Sequence, residues 1–123
     1  YKFEIKKTTE HERLKSISNI KLDKGLFDNG IYVKDYGICI PSVQVSYIRE
    51  YFKVGRVRLT IDRDIEYTQI RPTKSKQSMK VIDRSFVIEI KGDARESLFY
   101  LNNFFNFSRS RFSKYERAIA SIY

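Results

Sequence analysis

Charged residues alternate with apolar ones in two short segments, at a spacing that could form a phosphate-binding surface. In residues 56–62 (RVRLTID) and 88–91 (IEIK) every second side chain is charged or polar. Successive side chains of a β-strand point to opposite faces, so this period of two predicts strands with one charged face. Arginine offers a planar fork to two phosphate oxygens, and lysine offers a compact point charge. Arg56, Arg58 and Lys91 are therefore candidate phosphate ligands.

Glu89 is a carboxylate on the same predicted face as these cations. One interpretation is that it only neutralises Lys91, two positions along the strand. The other is that it holds a divalent cation that also bridges phosphate oxygens, as sites of phosphoryl transfer require. The residues alone leave both interpretations open.

The strands that must position these side chains are predicted from the same alternation. It runs through residues 2–6 and is expected to continue through 14–17. Residues 43–52 and 56–67 flank a turn at 54–55 and predict a β-hairpin, and 85–91 predicts a further strand. The basic segment 70–84 is expected to be a loop.

Helices are predicted mainly near the C-terminus. Asp93 with Glu96, and Ser113 with Glu116, have the spacing of a capping box, and residues 22–28 predict one helical turn. The fold class is therefore α+β, an antiparallel sheet with covering helices. If the sheet closes into a barrel, its charged faces line the lumen, where cations require a counter-anion.

Composition fits one basic domain. The 123 residues include 24 Lys and Arg against 15 Asp and Glu, a net charge of +9 that attracts polyanions. A single cysteine excludes an internal disulfide and favours a reducing compartment, so we expect a cytoplasmic location. His11 is the one histidine, so no Ser-His-Asp triad is expected. No apolar run approaches the roughly 18 residues that a transmembrane segment needs.

Five motifs occur in an order that points to a known family. They are FEIK at 3–6, YIREYF at 47–52, RVRLTID at 56–62, VIEIK at 87–91 and FSKY at 112–115. Together they resemble the VTC domain, the polyphosphate polymerase branch of the triphosphate tunnel metalloenzymes. The resemblance implies an antiparallel tunnel barrel that transfers the γ-phosphate of ATP to a growing polyphosphate chain with manganese or magnesium.

The resemblance also implies roles for individual residues. Its tunnel phosphate ligands would be Lys6, Lys15, Arg49 and Arg58. Glu89 would be the metal ligand and Lys114 the catalytic lysine that contacts the reacting phosphate. If Ser113 caps the last helix, Lys114 lies in its first turn, where free N–H groups and the helix dipole already favour an anion.

Part of the family pattern is not found in this sequence. The family's basic Arg-x-Arg strand and upstream lysine have no counterpart from Tyr1 onward, and Lys15-Ser16-Ile17 stands where relatives often have Lys-x-Arg. We therefore expect residues 1–123 to be a single domain, the C-terminal portion of a VTC-like tunnel domain whose barrel is incomplete without its N-terminal half. ATP, polyphosphate and that half are the expected partners.

Three alternative functions remain open. A hydrolase of tripolyphosphate or nucleoside triphosphates would usually carry more carboxylates to hold metal and orient water. A single-stranded nucleic-acid binder would stack bases on aromatic side chains. Phe3 and Phe86 fall opposite the charges, although Tyr47 and Tyr51 share a face with Arg49, and from this distribution no specific nucleic acid is expected. The third alternative is a non-catalytic module that retains phosphate binding.

Overall fold

The computed structural model describes residues 2–8, 13–21, 23–71, 78–105, 108 and 110–123. The chain divides into two compact units, residues 1–41 and 42–123. Within the described residues, no helix is long and apolar enough to cross a membrane.

The first unit contains two small hairpins and a short helix. Strand β1 (Lys2–Thr8) pairs antiparallel with β2 (Arg13–Asn19), and β3 (Ile31–Val33) pairs with β4 (Gly37–Cys39). Between the hairpins lies α1 (Lys24–Asn29), capped by the Asp23 side chain, which accepts a hydrogen bond from the Leu26 amide at 3.1 Å. The predicted strand at 14–17 and the helical turn near 22–28 are both confirmed.

The second unit is built around one long hairpin. Strand β5 (Val43–Val54) pairs antiparallel with β6 (Val57–Gln69). The other edge of β6 pairs with β8 (Val87–Lys91) over its first half and with β7 (Lys80–Asp83) over its second half. The predicted hairpin and the strand ending at Lys91 are confirmed.

Strand β7 corrects the last part of the prediction that residues 70–84 form a loop, of which 72–77 lie outside the described residues. Its four residues alternate between an exposed and an inward side, with Val81 packed against the core and Asp83 buried. The basic residues of the segment had suggested a solvated loop. Pairing with the second half of β6 nevertheless lets this short run bury Asp83 and partly bury Val81.

The two helices of the second unit begin where the capping motifs predict. Helix α2 (Ala94–Phe104) follows Asp93, whose carboxylate accepts hydrogen bonds from the amides of Arg95 and Glu96. Helix α3 (Lys114–Ile122) follows Ser113, whose hydroxyl accepts a hydrogen bond from the Glu116 amide at 3.3 Å. Both predicted helix starts are confirmed.

A β-bulge sets which residues of β6 face α3. The register shifts between Ser46 and Ile48, so Tyr47 opposes two residues of β6, of which Asp64 has a positive φ of 52°. After the bulge, Ile65 and Tyr67 are the buried hydrophobic side chains of β6, and they form the core with Ala118 and Ile122 of α3. The extra residue therefore turns both Asp62 and Ile65 toward α3.

The opposite face of this sheet is apolar near the hairpin turn. Together with α2 it surrounds a cavity of about 300 Å³. The cavity is lined by apolar and aromatic side chains from the sheet and from the end of α2, namely Phe52, Val54, Val57, Leu59, Ile90, Tyr100, Phe104 and Phe105.

The α+β class with antiparallel strands is confirmed. The described strands form three separate sheets of two, two and four strands. None of these three sheets closes on itself within the described ranges. The predicted barrel and the single-domain organisation therefore stay predictions.

Candidate functional site

Strand pairing in the second unit brings charged residues from three strands onto one face. Residues directly opposite each other in paired strands place their side chains on the same side of the sheet. We call the resulting surface the charged face; its members come from β5, β6 and β8 and are Arg49, Tyr51, Lys53, Arg58, Thr60, Asp62, Glu89 and Lys91.

Asp62 is the centre of an ion cluster on the charged face. It is 1% exposed and accepts two hydrogen bonds from Arg49, at 2.5 Å from Nε to Oδ1 and 2.7 Å from Nη2 to Oδ2. The Lys114 ammonium, at the first position of α3, also donates to Oδ2. One carboxylate thus joins cations from β5 and α3.

Tyr47 lies next to both of these cations, and Tyr51 lies next to Arg49. The Tyr47 ring centroid lies 4.5 Å from Lys114 Nζ and 5.1 Å from Arg49 Cζ, and Tyr51 lies 5.9 Å from Arg49 Cζ. Cations over aromatic faces are attracted to the ring quadrupole and held in place. Tyr47 is the β5 residue opposite the bulge, and its ring lies near both Arg49 of β5 and Lys114 of α3.

Hydrogen bonding sets the protonation of the cluster. The Arg49 hydrogen bonds, and after them that of Lys114, lower the pKa of Asp62 although burial opposes this. The same contact with Asp62 raises the pKa of Arg49. Asp62 is therefore ionised, and the cluster of one anion and two cations has a net positive charge.

A row of three cations crosses the charged face next to this cluster. Lys53, Arg58 and Lys91 are direct neighbours in the pairing of β5, β6 and β8. Lys91 forms an ion pair with Glu89 at 2.8 Å, whereas Lys53 and Arg58 have no acidic partner among the described residues. Like charges directly opposite each other in a sheet are destabilising. The row therefore favours a bound anion.

Arg56 does not lie on the charged face as predicted. Val54 pairs with Val57, which leaves Gly55 and Arg56 as the two-residue turn of the hairpin. Gly55 has a φ of 58°, a conformation that suits glycine. Because Arg56 belongs to the turn, β6 starts at Val57, one residue later than predicted. Arg56 is exposed at this turn, and its phosphate-binding role stays a prediction.

Glu89 is the residue to which the sequence resemblance assigns a metal, and that role stays a prediction. Its ion pair with Lys91 agrees with the simpler interpretation of this residue. Thr60, directly opposite Glu89, is 3% exposed and its Oγ1 has no hydrogen-bond partner among the described residues. No group of three or more His, Cys, Asp or Glu side chains suited to a metal occurs in the described part of the chain.

This donor set fits a metal that is bound mainly through the substrate. Magnesium is often held by one or two carboxylates, with phosphate oxygens and water completing its shell. Glu89 would supply the carboxylate, and Thr60 a further oxygen beside it. The residues do not form a complete protein cage for an ion.

Lys6 and Lys15 lie in the first unit. They are paired in the register of β1 and β2, and both contact Glu4, at 3.2 Å and 3.1 Å respectively. These contacts, that of Lys15 first, lower the pKa of Glu4. Their role as phosphate ligands stays a prediction.

A second ion cluster, which sequence reasoning missed, fixes α3 on the sheet. Arg117 Nε donates to Asp83 Oδ2 at 2.7 Å, and the Tyr67 hydroxyl donates to the same oxygen at 2.8 Å. Burial and the nearby Asp83 raise the pKa of Tyr67 to about 12. Arg117 follows Lys114 by three residues, so both lie on one side of α3. That spacing was visible in the sequence, but Asp83 lay in the predicted loop.

The comparisons with known proteins agree with the order of the motifs. Neither the curated proteins nor the solved structures gave a significant match. The model of the VTC domain family matches residues 2–123, which includes both units and all five motifs. Because this match spans nearly the whole sequence, the chain belongs to the VTC domain family.

Proposed function

We propose that this chain provides the phosphate-binding face of a polyphosphate polymerase-type phosphotransferase, which moves the γ-phosphate of ATP onto a polyphosphate chain. The VTC domain family is associated with polyphosphate-related phosphotransferase activity. The observation that supports the proposal most is that Arg49, Arg58, Lys91 and Lys114 come from four different elements to one side of one sheet.

Charge on this face suits a linear phosphate chain. The row of Lys53, Arg58 and Lys91 crosses three strands, and neighbouring strands lie roughly 5 Å apart. A polyphosphate chain carries negative charge along its whole length. It can therefore neutralise several cations of the row at once, which a single small anion cannot do.

The reaction requires positioning and charge neutralisation more than covalent work by the protein. An oxygen of the terminal phosphate of the polyphosphate chain attacks the γ-phosphorus of ATP, the bond from the γ-phosphorus to the bridging oxygen breaks, and ADP leaves with that electron pair. Arg49 and Arg58 hold the triphosphate, and Lys114 stabilises the charge on the phosphoryl group in transfer. A divalent metal at Glu89, when bound, would neutralise further negative charge on the phosphate oxygens.

Lys114 is placed well for its role. It is the first residue of α3, so free backbone N–H groups and the positive end of the helix dipole lie beside its side chain. Its ammonium donates to Asp62 but has three N–H bonds in total. Two donors thus remain for phosphate oxygens.

Chain elongation tests the proposal. The chain, joined to the N-terminal half of the domain that the resemblance implies, is incubated with ATP, manganese and a short polyphosphate primer, and the products are separated on a gel. We expect longer chains with the unmodified protein and at least a tenfold lower rate with Lys114→Ala, since about 1.4 kcal/mol of transition-state stabilisation corresponds to tenfold in rate. Lys80→Ala is the matched control, because Lys80 pairs with Glu66 on the opposite face.

The products also discriminate between the proposal and its alternatives. Orthophosphate release without chain growth would replace the proposal with a hydrolase. Asp62 and Glu89 are the two carboxylates of the charged face, and Asp62 is already bound by Arg49 and Lys114, which favours transfer over hydrolysis. Equal affinity for polyphosphate and a single-stranded oligonucleotide at one salt concentration would favour a general polyanion binder.

A further inference from the structure

Asp62 contacts two of the cations that the proposed function assigns to the phosphate groups, Arg49 and Lys114, although it is itself an anion. We infer that Asp62 is a positioning residue, which fixes Arg49 and Lys114 in the orientation that binds phosphate. This inference rests on the proposed function and extends it to a residue that does not contact substrate.

The Asp62 carboxylate is more deeply buried than the two cations that it binds. The Asp62 side chain is 2% exposed, whereas those of Arg49 and Lys114 are 26% and 19% exposed. The carboxylate therefore lies beneath the two cations, and the cations lie between it and solvent. An incoming phosphate meets the cations and does not need to replace Asp62.

The hydrogen bonds leave donors for this phosphate. Arg49 uses Nε and Nη2 for Asp62, and Nη1 is not used by Asp62. The planar fork of arginine is fixed when two of its nitrogens are bound, so the direction of the third is fixed as well. Both cations also lie over the Tyr47 ring, which limits their movement further.

A different role for Asp62 makes the opposite prediction. If the carboxylate were an internal anion that competes with phosphate, its removal would free two cations and raise the affinity for phosphate. If it is a positioning residue, its removal lowers the affinity although the net charge of the protein rises by one. The two cations then repel each other and lose their common acceptor.

The test is the affinity for inorganic tripolyphosphate, measured by calorimetry at fixed salt on the 123-residue chain. We expect Asp62→Asn to bind at least about tenfold more weakly, the loss expected from a charge-assisted hydrogen bond that is no longer aligned. Asp64→Asn is the matched control. It makes the same charge change two residues along the same strand, at an exposed carboxylate that contacts Arg63, and its affinity should stay within about twofold.

A double-mutant cycle distinguishes positioning from loss of structure. Asp62→Asn and Lys114→Ala should be non-additive in tripolyphosphate affinity, because the first substitution acts partly through the ammonium that the second removes. A purely structural effect of Asp62→Asn would persist unchanged in the Lys114→Ala protein. Additive effects therefore contradict the inference.

Two further outcomes are decisive. Affinity for Asp62→Asn equal to or above that of the unmodified protein overturns the inference and leaves the proposed function standing. Absence of tripolyphosphate binding by the unmodified protein, beyond its binding of sulfate, overturns the proposed function itself.

If Asp62→Asn does not fold, Arg49→Lys is the second variant, because it keeps the charge but not the planar fork of arginine. It should also bind about tenfold more weakly, and unchanged affinity for this variant rejects the inference.

Discussion

Asp62 shows how one buried carboxylate can organise residues that are distant in sequence. Its partners are 13 residues away in Arg49 and 52 residues away in Lys114. The contact with Arg49 follows from the pairing of β5 with β6, in which the two residues are directly opposite. The contact with Lys114 could not be predicted, because it depends on where α3 packs against the sheet.

Arg58 is the residue whose substitution tests the row of cations most simply. It has neighbours of like charge on both sides and no acidic partner among the described residues. We therefore expect Arg58→Ala to weaken tripolyphosphate binding by about tenfold, the loss of one charge-assisted contact. The stability of the protein should stay the same or rise slightly, because a repulsive neighbour is removed.

Calorimetric titration of Arg58→Ala measures its tripolyphosphate affinity, and thermal unfolding of the same samples measures its stability. Lys80→Ala again serves as the control for the loss of one positive charge. Equal affinities for Arg58→Ala and Lys80→Ala would show that net charge alone, and not this row, attracts the ligand.

At the scale of elements, the position of α3 decides the position of Lys114. Two ion pairs one helical turn apart connect α3 to the sheet, Lys114 with Asp62 and Arg117 with Asp83. Ala118 and Ile122 pack beyond them into the core. The start of α3 was predictable because a capping box is a local signal. The bulge and β7 were not, because they depend on pairing between distant segments.

The Ser113 cap gives a prediction for this element. Ser113→Ala removes the acceptor for the Glu116 amide and should lower the free energy of unfolding by about 1 kcal/mol. For a domain of this size this corresponds to a decrease in Tm of about 4 °C. Ser110→Ala, in an exposed residue outside the helix, is the matched control and should leave the Tm unchanged. Equal Tm values for the two variants would contradict the assigned cap.

At the scale of the whole molecule, stability should decline at both ends of the pH range. The pKa values of Asp62 and Asp83 are lowered from 3.8, so in acid the unfolded chain takes up protons that the folded protein does not. Stability is therefore complete above about pH 4 and falls as the pH falls. Tyr67 holds its proton up to about pH 12, whereas an ordinary tyrosine loses it near 10. Stability therefore also falls as the pH rises between these values.

The free energy of unfolding, measured in urea from pH 2 to pH 11, shows both the acid and the alkaline decline. Tyr67→Phe should flatten the alkaline decline and leave the slope of the acid decline. If the free energy of unfolding of Tyr67→Phe falls as steeply in alkali as that of the unmodified protein, another group is responsible for the decline.

The net charge and the side chains that share one face of a strand were predictable from the sequence. The way in which the strands assemble into sheets was predictable only in part. Alternation along 56–62 and 88–91 identified side chains that share a face, because the period of a strand is fixed by its backbone. Closure of a barrel depends on which strand edges meet, and no local pattern encodes this. The same limit applies to Lys6 and Lys15, whose strands belong to the first unit.

The most direct test of the central claim is an NMR titration of the labelled protein with inorganic tripolyphosphate, with sulfate as the control anion. The claim is that one face of the sheet in the second unit binds phosphate chains. We predict amide shift changes concentrated at Arg49, Arg58, Glu89, Lys91 and Lys114, with few at Phe52, Leu59 and Ile90 on the opposite face. Changes spread over basic residues of both faces, or equal changes with sulfate, would contradict it.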